Sequence, residues 1–570
     1  MMPLRQPITA ISALCLALSL LTPPFWAKEP VTGHHAMVVA QEPLAADVGL
    51  EILKRGGNAV DAAVAVGFAL AVTHPTAGNI GGGGFLLVRF ANGKTGFVDF
   101  REQAPKKATR NMYIGPDGKA TKDSLIGWRA SGVPGSVKGF AMASKQWGTM
   151  KWADLLAPAI HLARDGYPVG KTLAAELRSP ENRMKADPES TRIFLRNGNP
   201  YREGETLRQP DLAATLERIA KNGAQEFYSG ETARKVAAAM KEHRGLISLD
   251  DLKNYRAIDR KPLEGDYHGY HVITAPPPSA GGLGILQMMG ILSGTDYGSD
   301  GADSPKAIHY EAEAMRRFYA DRSAYLGDPA YYHVPVAQLL SPTYLASRRN
   351  SIQPDRATPS VDVSPGLKQV SMAHISQSES NETTHFNIVD SQGNAVAVTY
   401  TLNGSFGCGI TVPGLGFLLN NEMDDFVAKP GSPNMFGLVG GEADSIAPGK
   451  RPLSSMNPTI LTHDGKLFMA VGAPGGSRIT TGVLQVILDV IDFHMNPQDA
   501  VDLPRFHHQW KPDVLYLENG FHPETIAALK KMGYEIKPIE SVARVEAIVV
   551  KNGVLEGGTE TRLDGKVAAY

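Results

Sequence analysis

Cysteine is nearly absent from this 570-residue chain, which has only Cys15 and Cys408. A disulfide framework or a cysteine metal site is therefore excluded once Cys15 is set aside with the leader described below. Long runs of one charge are also missing. Lys and Arg number 57 against 58 Asp and Glu, the net charge is −1, and no basic run of five or more occurs. Nucleic acid and anionic membrane surfaces are poor partners for such a balance. Apolar runs are short as well. The longest, Ile8 to Leu21, spans about 14 residues, below the roughly 20 that cross a bilayer. Several catalytic templates are absent: no His-Glu-x-x-His, no Gly-x-Ser-x-Gly, and no Lys-Ser/Thr after Gly81 to Gly84. His507 and His508 are adjacent, so in extended chain they point opposite ways and do not chelate one metal. No metal and no cofactor is expected.

The short apolar run fits an export signal. Arg5 supplies the positive start and Ala27 a small residue before cleavage, so residues 1–27 are expected to be removed. Phe25 suits the position two before Ala27 poorly, which leaves the cut site open. Leu14 before Cys15 argues against lipidation. Export without disulfides points to a periplasmic or secreted protein with a large core and no membrane span after processing.

Beyond the leader, 43% of the residues are hydrophobic and 20% charged, as in ordinary globular proteins. Ala45 to Arg55 reads as an amphipathic helix stopped by Gly56-Gly57. Asn58 caps a second helix, Ala59 to Val72, that is apolar on every side and hence buried. Strands follow at Phe85 to Phe90 and Gly96 to Phe100. Trp152 to about Tyr319 reads as mostly helical, with a capping signal at Ser248 to Asp251. Asn350 to Glu382, rich in Ser and Pro, reads as exposed and flexible. Strands resume at Phe386, and a helix spans Thr480 to Ile491. Strands alternating with buried helices suggest a layered α/β architecture with sheets in the middle.

The densest information lies between Asn381 and Asp425. Ser391-Gln392-Gly393-Asn394 is turn chemistry between two β-branched runs. With Ser391 facing Asn394, Thr383 falls opposite Leu402, and Thr399, Thr401 and Asn403 share one face. A hydroxyl beside two polar groups at a strand end is a candidate nucleophile. Were the peptide bond between Glu382 and Thr383 cut, the new α-amino group, with a pKa near 7.7–8, could accept the hydroxyl proton. Other residues admit two readings each. Asn420 to Asp425 is either an exposed acidic turn or, through Glu422 and Asp425, an ammonium site. Arg101 is either a surface ion pair or a bidentate carboxylate ligand. Ser454-Ser455 is a cap or a binding pair, and Gly475-Gly476 is a turn or a pair of N–H groups aimed at an oxyanion.

Together these segments resemble the γ-glutamyltransferase family of N-terminal nucleophile hydrolases. The resemblance runs from Gly56 to Ala63, Asn79 to Phe85, Asp99 to Glu102, Pro276 to Gly282 and Ala320 to Arg322 through Thr383 to His385. It continues in Thr399 to Asn403, Asn420 to Phe426, Arg451 to Met456, Gly475 to Arg478 and Pro504 to Trp510. It implies a four-layer αββα sandwich and a precursor that cuts itself between Glu382 and Thr383. The large piece (28–382) and the small piece (383–570) would then form one intertwined heterodimer. The implied activity moves the γ-glutamyl group of glutathione and related compounds to water, amino acids or dipeptides. By the same resemblance Thr383 attacks, Thr401 orients it, and Gly475 and Gly476 hold the oxyanion. Arg101, Ser454 and Ser455 take the glutamyl α-carboxylate, while Asn403, Glu422 and Asp425 take its α-amino group.

Two positions depart from the family pattern. Pro430 to Gly441 matches a lid loop, but Phe436 stands where many bacterial members carry Tyr, so a hydroxyl contact to Asn403 is lost. Glu422 replaces the Gln of some bacterial members and adds negative charge near the ammonium site. The rival enzyme is a sister acylase of the same fold that cleaves a glutaryl or cephalosporin amide and needs no ammonium site. The rival outside enzymology is an exported binding protein that uses the fold without chemistry.

Overall fold

The computed structural model describes residues 29–179, 182–367, 383–429, 434–435, 437–438, 440–560 and 562–570. The leader, Glu382 and Phe436 therefore lie outside the described residues. Two seven-stranded sheets dominate. One has the order Val31–Gly33, Val554–Gly558, Glu546–Lys551, Lys466–Gly472, Thr459–His463, Tyr270–Thr274, Leu263–Tyr267. The other runs Lys566–Ala569, Met37–Ala40, Thr384–Val389, Ala395–Thr401, Gly83–Arg89, Thr95–Asp99, Ile258–Arg260. Neighbouring strands within both are antiparallel throughout. The sheets pack face to face, with helices Pro43–Lys54, Ala59–Thr73 and Ser136–Trp147 outside one and Gly281–Leu292 and Ile479–Ile491 outside the other. Four layers, αββα, result.

Strand alternation assigns each side chain to a layer. Phe386, Ile388, Val396, Val398 and Tyr400 face the helices, whereas Val389, Ala395 and Ala397 face the opposing sheet. The helix Ala59–Thr73 is buried along its whole length, as its uninterrupted apolar sequence requires. Asn58 caps it, and Asp61 completes a reciprocal capping box. The Asp61 carboxylate also accepts from the Thr149 N–H at 3.0 Å, the Thr149 hydroxyl at 2.6 Å and the Met150 N–H at 3.2 Å. One side chain thus fixes both the helix start and the loop that follows Trp147.

Two expectations need correction and one an addition. The stretch from Trp152 to Tyr319 is mostly helical, as read, but it also supplies an edge strand to each sheet, Ile258–Arg260 to one and Leu263–Tyr267 to the other, with Tyr270–Thr274 paired on both sides inside the latter. The hairpin signal was His268-Gly269, which adopts φ of 47° and 87° between the two longer strands. Residues 351–367 carry no helix or strand, yet Ile352, Ser360 and Val363 are buried. The Trp510 indole N–H, 2.9 Å from both the Ser360 and Val363 carbonyls, ties this segment down, so it is not freely exposed. Finally, the hairpin register differs by one residue. Thr384 pairs with Tyr400 and Val389 with Ala395, so Thr383 stands opposite Thr401 and not Leu402.

Asp61→Ala would leave the donors of Asn58, Thr149 and Met150 without their acceptor. Given about 1–3 kcal/mol for each buried group left unsatisfied, we expect a loss of roughly 3 kcal/mol or more, read as a lower denaturant midpoint. An unchanged midpoint would show that the box does not hold these elements.

Candidate active site

Thr383, Thr401, Asn403, Arg101, Glu422, Asp425, Ser454, Ser455 and Gly476 line one cleft. These residues come from across the chain, from strand ends and the loops beside them. Thr383 and Thr401 are buried, and their hydroxyls lie 3.3 Å apart. The corrected register explains that contact, since directly opposite residues bring their side chains together on one face. Thr401 is held in turn: its Oγ1 accepts the Asn403 N–H at 2.8 Å, and its carbonyl accepts the Asn79 side-chain amide at 2.9 Å. Asn79 Oδ1 accepts from the Gly82 N–H at 2.8 Å and the Ser136 hydroxyl at 2.7 Å. Asn403 leaves the strand with φ 77°, a left-handed conformation that Asn tolerates. Behind Thr383 on the same face, His385 Nδ1 contacts the Thr399 hydroxyl at 2.8 Å. Burial pushes the His385 pKa down to about 3, so the ring is neutral.

Arg101 follows the strand Thr95–Asp99 and is fully buried. Its Nε donates to the Pro452 carbonyl at 3.2 Å and one terminal nitrogen to the Leu453 carbonyl at 3.2 Å. The two terminal nitrogens pair with Glu422 and Asp425. Glu102 lies 3.5 Å from the same guanidinium. Burial alone would lower the Arg101 pKa, but Glu422, Asp425 and Glu102 outweigh it and hold the group charged. Burial raises Glu422 and Glu102 above the usual carboxylate range, Glu102 to about 7, despite the opposing pull of Arg101. Thus the expected carboxylate ligand and the expected ammonium ligands are paired with one another across the cleft.

Ser454 and Ser455 are held by a segment the sequence had singled out without a role. Ser279 forms a parallel bridge with Ser454, the Ala280 N–H donates to the Ser454 carbonyl at 2.7 Å, and the Ser454 N–H donates to the Pro278 carbonyl at 2.9 Å. Gly475 and Gly476 take φ of 143° and 57°, and Gly476 opens the turn that leads into the helix Ile479–Ile491. A Cβ at Gly475 would sit 3.0 Å from the Val542 carbonyl oxygen, so glycine fits where a side chain would crowd. Neither glycine N–H has a hydrogen-bond partner among the described residues, which leaves both donors for a ligand. Gly476 lines the cleft, with Gly475 beside it.

Beyond the predicted set, Arg322, Leu438, Leu453, Met456 and Ile479 also line the cleft. Arg322 is buried on the helix Pro305–Tyr325, and its Nε has no hydrogen-bond partner among the described residues. Its signal was the Ala320-Asp321-Arg322 motif, which carried no assigned role. The described part of the lid segment reaches the acidic turn: the Met435 N–H donates to Asp424 at 2.9 Å, and Asn434 lies 3.4 Å from Asp425. His507 contacts the Thr481 hydroxyl at 2.8 Å and Gln509 at 2.9 Å, whereas His508 faces Asp513 at 3.2 Å. Among the described residues no group of three His, Cys, Asp or Glu could hold a metal.

The layered fold is that of the N-terminal nucleophile hydrolases. Cephalosporin acylase from Bacillus halodurans superposes with a TM-score of 0.84 at 31% identity, covering 95% of this chain and 97% of that one. Helicobacter pylori γ-glutamyltranspeptidase matches with a TM-score of 0.57 at 43% identity, over 58% of this chain and 95% of that chain. Among curated proteins, the glutathione hydrolase proenzyme of Escherichia coli (strain K12) is 47% identical over 545 residues, 95% of this chain and 93% of its own. The chain belongs to the γ-glutamyltranspeptidase family, whose model matches residues 45–570.

Arg101→Ala would leave the buried Glu422 and the partly buried Asp425 without their cation. A destabilisation of about 3–5 kcal/mol is expected from breaking a buried pair, measured by denaturant unfolding. A variant as stable as the parent would mean that the two carboxylates find another partner.

Proposed function

We propose that this protein is a self-processing γ-glutamyltransferase and glutathione hydrolase that works through Thr383. The observation that carries the proposal is the convergence of a Thr–Thr hydroxyl pair, two free N–H donors and an Arg–carboxylate cluster in one buried cleft. In the precursor, Thr383 Oγ attacks the Glu382 carbonyl, the C–N bond breaks to free the Thr383 amine, and hydrolysis of the resulting ester releases the Glu382 carboxylate and restores the hydroxyl. Residues 28–382 and 383–570 then form the large and small subunits. In the mature enzyme that amine takes the hydroxyl proton as Thr383 Oγ attacks the γ-carbonyl of glutathione. Thr401 orients the hydroxyl, and the Gly475 and Gly476 N–H groups receive the oxyanion. Collapse releases the leaving amine and leaves a γ-glutamyl ester on Thr383. Water hydrolyses that ester, or the amine of an amino acid or dipeptide accepts the group.

The substrate α-carbon bears both charges that the empty cleft pairs internally. Its carboxylate would meet Arg101 with Ser454 and Ser455, and its ammonium would meet Glu422, Asp425 and Asn403. Binding thus exchanges the pairing of Arg101 with Glu422 and Asp425 for pairing of each with the substrate, so neither charge enters the cleft unpaired. The sister acylase reading accounts for the layers and the nucleophile but not for this second, acidic half of the cleft. Removal of residues 1–27 would leave the protein in the periplasm. Among the described residues no helix is long and apolar enough to cross a membrane.

Purified protein is expected to run as two fragments, the smaller beginning at Thr383, whereas Thr383→Ala stays one chain with no γ-glutamyl release. Normal cleavage of that variant on a denaturing gel would remove Thr383 from the mechanism. A second expectation concerns pH. Burial raises Glu422 above the usual carboxylate range and Glu102, beside the same guanidinium, to about 7, so acidification through about pH 7 protonates Glu102 and removes negative charge from this half of the cleft. The KM for a γ-glutamyl anilide should therefore rise as pH falls through that window while ammonium and substrate carboxylate stay charged. A KM independent of pH between about 5 and 8 would contradict the assigned ammonium site.

A further inference from the structure

A second cavity lies apart from the Thr383 cleft and shares none of its lining residues. Its outer part, about 420 Å³, has the size of a small-molecule pocket and an apolar wall that includes Pro43, Leu44 and Tyr167. Gln41 and His74 line both this space and a narrow inner chamber of about 10 Å³ that ends on Glu546. The chamber has room for one water-sized group.

Polar atoms without partners converge there. Gln41 Oε1 and Nε2, His74 Nε2 and both carboxylate oxygens of Glu546 make no hydrogen bond among the described residues. Gln41 is 9%, His74 5% and Glu546 1% exposed. Buried polar groups are nearly always bonded, so such a concentration in one chamber calls for a ligand. The chemistry of the atoms names its kind. Burial, with Arg544 nearby, pushes the His74 pKa down to about 3, so its ring is neutral and can accept. Glu546 and the Gln41 carbonyl oxygen are acceptors too. Arg544 and Glu560 also face the chamber. Glu560 is committed to Arg505 and Arg562, whereas Glu546 makes no ion pair among the described residues.

We propose that this cavity is a second binding site for a small molecule bearing a primary ammonium group. The three N–H donors of the head group meet Glu546, Gln41 and His74, and the apolar body lies along Pro43, Leu44 and Tyr167. Its size matches the chamber, and its charge gives Glu546 the direct ion-pair contact that Arg544, which also lines the chamber, does not make. Burial holds the Glu546 carboxyl well above the usual range, with Thr559, Glu560 and Arg544 as its neighbours. Arrival of the cation would draw the proton off it.

The site is independent of the γ-glutamyl reading, so the test is binding and not turnover. Butylammonium titrated into the full-length protein by calorimetry should bind, in Asp425→Asn as in the parent. Binding should weaken by roughly tenfold or more in Glu546→Gln, the scale expected for loss of a charge-assisted contact. Butyltrimethylammonium, which has no N–H, should not compete. Should Glu546→Gln fail to fold, Gln41→Leu serves in its place. The proposal is overturned if no binding is seen at millimolar amine, or if a soaked crystal holds only water in the chamber. It is equally overturned if Asp425→Asn loses binding while Glu546→Gln retains it, which would put the amine in the Thr383 cleft.

Discussion

The pairing of Thr384–Val389 with Ala395–Thr401 governs everything built around Thr383. Side chains alternate along a strand, so register decides at one stroke which residues face the helices and which face the other sheet. With Val389 opposite Ala395, the apolar residues Phe386, Ile388, Val396 and Val398 all enter the helix-facing core. The polar set Thr383, His385, Thr399 and Thr401 is thereby forced between the sheets, where each finds a neighbour. Slipping the pair by one residue would bury polar groups against helices and expose apolar ones to the opposite sheet. Hydrophobic burial thus fixes the Thr383–Thr401 contact as a by-product of packing the core.

The second constraint is electrostatic. A guanidinium, two carboxylates paired with it and a third carboxyl 3.5 Å away lie in a cleft almost free of solvent. Isolated charges could not remain there, and each is tolerated because the others are present. Such a cluster is self-satisfied when empty and still suits a zwitterion, whose two ends repeat the charges it separates. Raised carboxyl pKa values in the cluster belong to the same balance: three acids face one Arg101, and burial resists the surplus of negative charge.

Much of this was legible before any coordinates. The buried helix after Asn58, the strands flanking Gly393 and the helix ending at Ile491 follow from periodicity and caps, which are local properties of the chain. Arg101, Glu422 and Asp425 were readable as a charge set only because the family resemblance grouped residues more than 320 positions apart. The hairpin register was misjudged by one residue because turn chemistry around Gly393 permits more than one loop closure. The edge strands Ile258–Arg260 and Leu263–Tyr267 were missed because short, half-exposed strands carry few apolar residues to mark them. Burial of Ile352, Ser360 and Val363 was hidden in a segment whose Ser and Pro content resembles solvent-exposed chain.

By itself the sequence determined the layered α/β class, the candidate nucleophile and the family, because caps, alternation and irregular motifs are written along the backbone. Only the tertiary structure decided that Thr401 is the direct partner of Thr383, that Arg101 is already engaged by Glu422 and Asp425, and that Gln41, His74 and Glu546 enclose a second chamber. Those facts depend on how strands from opposite ends of the chain are brought together. Long-range packing and the cost of burying charge set them, and neither is encoded in any single stretch of residues.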